Sequence, residues 1–122
     1  MNTIISGNQI PYAVVPLSLV RDPSISPEAK GIYTYMLSYA TMPDWVLFPT
    51  KIRKDNNIGE RRYLRIMSEL KLAGYIVLHI QPTPPKGWIN RIEVLYEPRT
   101  DGINTIFYDV HGNPTGKTNL TA

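Results

Sequence analysis

The order in which hydrophobic period changes along this chain constrains its fold more than any other feature: helical spacing first, then β spacing, with short punctuated joints between. Ala29, Ile32, Tyr33, Met36, Leu37 and Ala40 recur every three to four residues and predict an amphipathic helix over 27–40. Ser26, Pro27 and Glu28 suit its start, supplying a hydroxyl for the unpaired amides, a proline for the first turn and an acid at the positive helix end. Gly31 inside that helix implies close packing. From Gly59 onward Tyr63, Ile66, Met67, Leu70 and Ala73 predict another helix, stopped by Gly74. Residues 75–81 and 88–96 are then β-rich and separated by Pro82-Thr83-Pro84-Pro85-Lys86-Gly87, which predicts an antiparallel hairpin. Ile76, Leu78 and Ile80 share one face of the first strand, and Ile92, Val94 and Tyr96 one face of the second. His79, Arg91 and Glu93 should point outward.

The segments between and around these elements read less sharply. Residues 12–15, bracketed by Pro11 and Pro16, suit an edge strand, because proline at both ends limits ladder donors. Residues 17–25 read as a connector, and 45–48 as a strand stub. Pro49 and Thr50 open a short helix to about Asn56, after which Asn57 suits a left-handed link. Residues 103–110 suit an added strand, followed by a turn at His111-Gly112-Asn113-Pro114 and a polar, fraying end.

A chain of 122 residues, 43% hydrophobic, is sized for one domain with one core. It has no cysteine, which excludes a disulfide framework and thiolate chemistry and suits a reducing cytosol. No basic region followed by a long apolar run opens the sequence, and nothing reaches 18 consecutive apolar residues, so a cytoplasmic protein with no membrane partner is expected.

Charge locates the candidate site. Lys51, Arg53, Lys54, Arg61, Arg62 and Arg65 face only Asp55 and Glu60 within residues 51–65, so this window carries +4 while the remaining 107 residues carry −1. Such a local concentration is the footprint expected of a phosphate-binding surface, although a run of like charge can also be a plain solvated face.

Taken in order, the predicted elements are β, α, short β, α, turn, α and a hairpin. The segment YAVVPLSLVRDPSISPEAKGIYTYML resembles the opening of winged helix-turn-helix domains in phage and plasmid replication initiators, replisome organisers and related regulators, with its S-x-x-A-K-G-I-Y helix. FPTKIRKDNNIGERRYLRIMSELKLAGYI resembles their helix-turn-helix and the L-x-x-x-G-Y-I run into the wing. The resemblance covers about residues 11–97 and implies an α+β fold with three helices and a small antiparallel sheet. An N-terminal arm (1–10) and a C-terminal extension (98–122) flank that domain. Two positions depart from the pattern: Asn56 stands where a buried aliphatic residue is implied, and Arg53 where a small one is. No second, helical domain is present within the 122 residues.

A helix fits the major groove of B-DNA, where an arginine can donate two hydrogen bonds to guanine O6 and N7. Arg61, Arg62 and Arg65, early in the third helix, suit base or phosphate contacts, with Ser68 on the same face. Lys51, Arg53 and Lys54 suit phosphate positioning, and Lys86 and Arg91 suit wing contacts. If about five phosphates are neutralised, the log-log salt slope should be near −4 to −5. Trp88 is also read as a packing anchor of the hairpin, and Pro82 to Pro85 as a rigid turn rather than a polyproline ligand.

Other chemistries find little footing. Residues 112–118, GNPTGKT, mimic a phosphate loop, but His111 replaces the first glycine and no helix follows Lys117. His79 and His111 lie far apart in sequence without acidic or thiol company, so neither a metal site nor a catalytic triad is expected. The expectation is a non-enzymatic, cofactor-free, sequence-selective binder of double-stranded DNA from a phage, plasmid or other mobile element, acting in transcription regulation or replication. A homodimer and a replication or transcription protein are further partners to consider. The alternative is a winged-helix module for protein contacts alone.

Overall fold

The computed structural model of the protein describes residues 14–40 and 49–118. Among the described residues four helices and four strands follow in order: α1 (Leu17–Val20), α2 (Pro27–Ala40), α3 (Pro49–Asn56), α4 (Glu60–Leu72), β1 (Ile76–Pro82), β2 (Trp88–Val94), β3 (Thr105–Tyr108) and β4 (Pro114–Thr118). The architecture is α+β. The expected helix count was three and the expected sheet antiparallel. In fact the residue 17–25 connector contains the one-turn helix α1, and the sheet is mixed, in the order β2-β1-β3-β4.

Local chemistry explains the helix ends. Ser26 Oγ accepts from Ala29 N–H at 3.1 Å, capping α2 as its sequence position implies. Ser26 itself is held by α4: its N–H donates to Glu69 Oε1 at 2.8 Å and its hydroxyl to Glu69 Oε2 at 3.0 Å. At the C-terminal end of α4, close to Glu69, Gly74 takes φ +86° while its N–H donates to Lys71 O and Tyr75 N–H to Leu70 O. That pattern closes the helix with two of its orphan carbonyls satisfied and turns the chain straight into β1.

The core joins α2, α3 and α4 to one face of the sheet. Ile32, Tyr33 and Met36 of α2, Ile52 of α3 and Ile66, Met67 and Leu70 of α4 are buried against Tyr75 and Ile76, with Ile92 and Val94 partly buried beside them. Tyr33 donates its hydroxyl hydrogen to Leu95 O at 2.8 Å and meets the Tyr75 ring edge-on, with centroids 5.7 Å apart. Burial pushes the Tyr33 phenol up to about 12. Two residues expected on core faces are instead exposed: Ala40, at the last turn of α2, and Tyr96, which lies beyond the end of β2. Gly31 also faces open space, so its place in α2 reflects no close approach.

The hairpin is antiparallel as expected, with His79 opposite Arg91 and Leu78 opposite Ile92. Residues 98–118 contribute more than the sequence suggested. β3 lies beside β1 in parallel, with His79 opposite Ile106, and β4 pairs back antiparallel onto β3. β1 is thus an interior strand, and Val77, on the face away from the helices, is as fully buried as Ile76. Pro114, expected in a turn, and residues 115–118, expected to fray, form β4, so Lys117 and Thr118 of the GNPTGKT segment lie in a strand. Of the expected edge strand over 12–15, Val14 and Val15 lie outside the sheet; the rest of it, the stub at 45–48 and residues 119–122 lie outside the described residues.

Candidate nucleic-acid interface

The α3–α4 junction is set by one left-handed residue. Asn57 has φ 54°, its N–H donates to Lys54 O at 3.3 Å, and Ile58 N–H donates to Arg53 O at 3.0 Å. These bonds close α3 as Gly74 closes α4, and half-buried Ile58 packs against the core to fix the turn. Asparagine tolerates this conformation better than other side-chain-bearing residues, as the sequence suggests. With Tyr63, Ile66, Met67 and Leu70 buried, α4 presents Arg61, Leu64, Arg65, Ser68 and Leu72 on its outer side. Leu64 and Leu72 are 54% and 58% exposed, which the charge-based reading overlooked.

Carboxylates hold half of the basic cluster. On α3, Lys51 Nζ sits 2.9 Å from Asp55 Oδ2 and 5.5 Å from the Tyr39 ring centroid. Asp55 also accepts from the Tyr35 hydroxyl, and that bond, followed by Lys51, holds its carboxyl below the usual range. Burial, then the bond to Asp55, pushes the Tyr35 phenol upward. On α4, Arg62 and Arg65 reach the same carboxylate, Glu28 in the first turn of α2: Arg65 Nη2 lies 2.8 Å from Oε1, and Arg62 Nε bonds Oε2. The Arg62 hydrogen bond is the largest cause holding Glu28 below its ordinary pKa. Lys54 and Arg61 are exposed and make no ion pair among the described residues.

Arg53 behaves differently from its neighbours. Its side chain is half-buried and its Nε is fully buried without a hydrogen-bond partner. It reaches both a shallow 320 Å³ cleft beside Thr50, Lys54 and Asn57 and a 280 Å³ groove lined by Tyr63, Leu64, Met67 and Ile92. The neighbouring departure, Asn56, satisfies its amide by donating to Ile52 O at 2.8 Å. Tyr63, at the groove, is pushed up to about 12 by burial.

The hairpin basic residues stand apart from the α3–α4 cluster. Lys86 is exposed in the β1–β2 turn beside Trp88, whose 65% exposure argues against the packing-anchor reading of that ring. Arg91 projects from the sheet face opposite the helices, with its guanidinium carbon 5.9 Å from the Tyr108 ring centroid. On that same face His79 is not the solvated side chain expected. Its Nδ1 lies 2.6 Å from the Tyr108 hydroxyl and its Nε2 2.8 Å from Glu93 Oε1, so it links three strands and does have acidic company. The Glu93 contact lies within the hairpin, whereas the Tyr108 contact depends on the parallel docking of β3, because Tyr108 is 29 residues away in sequence.

Lys51, Arg53 and Lys54 thus lie on α3 and Arg61, Arg62, Arg65 and Ser68 on the next helix, α4; Lys51 meets Tyr39 near the C-terminal end of α2 whereas Arg62 and Arg65 meet Glu28 at its N-terminal end, and Lys86 and Arg91 lie on the hairpin. Glu28 was legible only as a helix-start acid; its grip on two arginines depends on how α2 crosses α4. Among the described residues no group of three or more His, Asp or Glu side chains is placed to hold a metal ion, and no helix is long and apolar enough to cross a membrane. No protein-family model, curated protein or solved structure matches the chain.

Proposed function

We propose that the protein is a winged helix-turn-helix binder of double-stranded DNA, with α4 as the recognition helix. The observation that carries this reading is the outer side of α4, where Arg61, Arg65 and Ser68 flank exposed Leu64 behind a left-handed turn. Arg61 and Arg65 can each present a planar two-donor fork to guanine, Ser68 can reach either base edge, and Leu64 can contact a thymine methyl. Lys54 on α3 serves as a phosphate contact that positions the domain while Asp55 holds Lys51, and Lys86 at the hairpin turn reaches backbone or minor groove. A cytoplasmic regulator of transcription or replication in a phage, plasmid or other mobile element fits such a module.

Selection from random duplexes, followed by titration of the preferred site against Arg61→Ala and Arg65→Ala, tests the assignment. Loss of a bidentate base contact costs about 1–3 kcal/mol and relaxes the preference at that base. If both variants bind the preferred duplex as the parent does, α4 is not the reader. A second reading, a module for protein contacts, is favoured by exposed Trp88 and Ile89 on the hairpin; it requires that folded protein bind no duplex at low salt.

A further inference from the structure

Glu28 lies outside the basic window, yet among the described residues it is the one acidic side chain that touches two of the arginines assigned to DNA. Its two carboxylate oxygens are divided between Arg62 and Arg65. The pairs lie at the surface: Glu28 is 35% exposed, Arg62 53% and Arg65 56%, so a competing anion can reach both guanidinium groups. Nor is this carboxylate needed to hold α2 on α4. Glu69 already makes two bonds to Ser26, and the helices share the buried contacts of Ala29, Ile32, Ile66 and Leu70.

We propose that Glu28 is a specificity-determining residue of the interface, withholding Arg62 and Arg65 from indiscriminate phosphate contact. This rests on the DNA-binding reading above. On an arbitrary duplex, a phosphate must displace the carboxylate to gain either arginine, and the displaced carboxylate is left beside a polyanion. At a matching site the carboxylate keeps a partner, because it can accept from the cytosine N4 amino group while Arg65 turns to the guanine O6 and N7 acceptors. The carboxylate therefore penalises backbone binding more than base readout, and discrimination widens at the expense of raw affinity.

The test compares wild type with Glu28→Gln, and Arg62→Ala/Arg65→Ala with the same double variant carrying Glu28→Gln, each titrated with the preferred and a scrambled duplex across salt. Glu28→Gln should bind the scrambled duplex more tightly and lower the preferred-to-scrambled ratio. Its salt slope should steepen by about 1 to 2, one increment for each arginine freed to meet phosphate. That advantage should shrink about threefold per gained contact between about 50 and 200 mM salt. It should vanish in the double-arginine background, whereas a general charge effect would persist there and overturn the proposal. Unchanged slope and ratio in folded Glu28→Gln would also overturn it while leaving DNA binding intact. Failure of wild type to bind any duplex would remove the DNA-binding reading itself, and the proposal with it.

Discussion

The salt dependence of duplex binding can be worked from the ion pairs. Counting basic residues alone leads to a log-log slope of about −4 to −5, since each neutralised phosphate contributes about −0.9. The structure removes several of those charges from contention. Lys51 already faces Asp55, Arg62 and Arg65 face Glu28, and Arg53 is half-buried between two clefts. Lys54, Arg61 and Lys86 remain exposed without an ion pair among the described residues, and on a scrambled duplex, where Arg61 has no guanine to read and meets phosphate, three contacts give a slope of about −2.7. Lys54→Ala should flatten it to about −1.8 and weaken preferred and scrambled duplexes alike, because a phosphate contact positions without reading bases. Lys51→Ala should leave it almost unchanged, since Asp55 is deprived of a partner rather than DNA of a cation. Fluorescence anisotropy with a labelled duplex at five or more salt concentrations measures all three. A wild-type slope near −5 would show that the carboxylates yield to phosphate and would refute the reasoning.

Three further outcomes follow from packing and backbone geometry. Met67→Ala and Leu70→Ala remove buried volume and should each lower stability by about 2–5 kcal/mol in urea melts, with DNA binding lost only through unfolding. Two glycine substitutions should have opposite signs in the same assay. Gly74→Ala is strongly destabilising, because φ is +86° and a Cβ there would meet Arg99 O at 2.3 Å, whereas Gly31→Ala stabilises by about 0.5–1 kcal/mol in an exposed helix interior. For Asp101, the Arg99 side-chain bond, then the Ile103 amide, lowers the carboxyl from 3.8 to about 2. A depressed folded pKa adds stability above the unfolded value that is lost as pH falls between about 4 and 2, so Asp101→Asn should flatten acid unfolding there and leave neutral pH behaviour close to that of an Asp101-protonated chain.

What the sequence legislates here is local. The spacing of Ile32, Tyr33, Met36 and of Ile66, Met67, Leu70 implied which helix faces are buried, and those residues form the core. Ser26 was recognisable as a cap, and Asn57 and Gly74 as left-handed positions, because capping and positive φ depend on a few neighbouring atoms. The antiparallel hairpin followed from a proline-rich turn and period-two runs.

Long-range pairing was decided by the tertiary structure. Nothing local to residues 105–118 says that β3 will enter in parallel beside β1 or that β4 will cover β3, since strand partnership is settled by competing surfaces rather than by either strand's own pattern. The same holds for the charges. Sequence counting placed six cations in one window, but whether each meets solvent, a carboxylate or the protein interior depends on where Asp55, Glu28 and the groove beside Arg53 are carried by helix packing. Electrostatic energy falls with distance and rises as water is excluded, so the net charge of a surface is known only after its neighbours from distant elements have arrived.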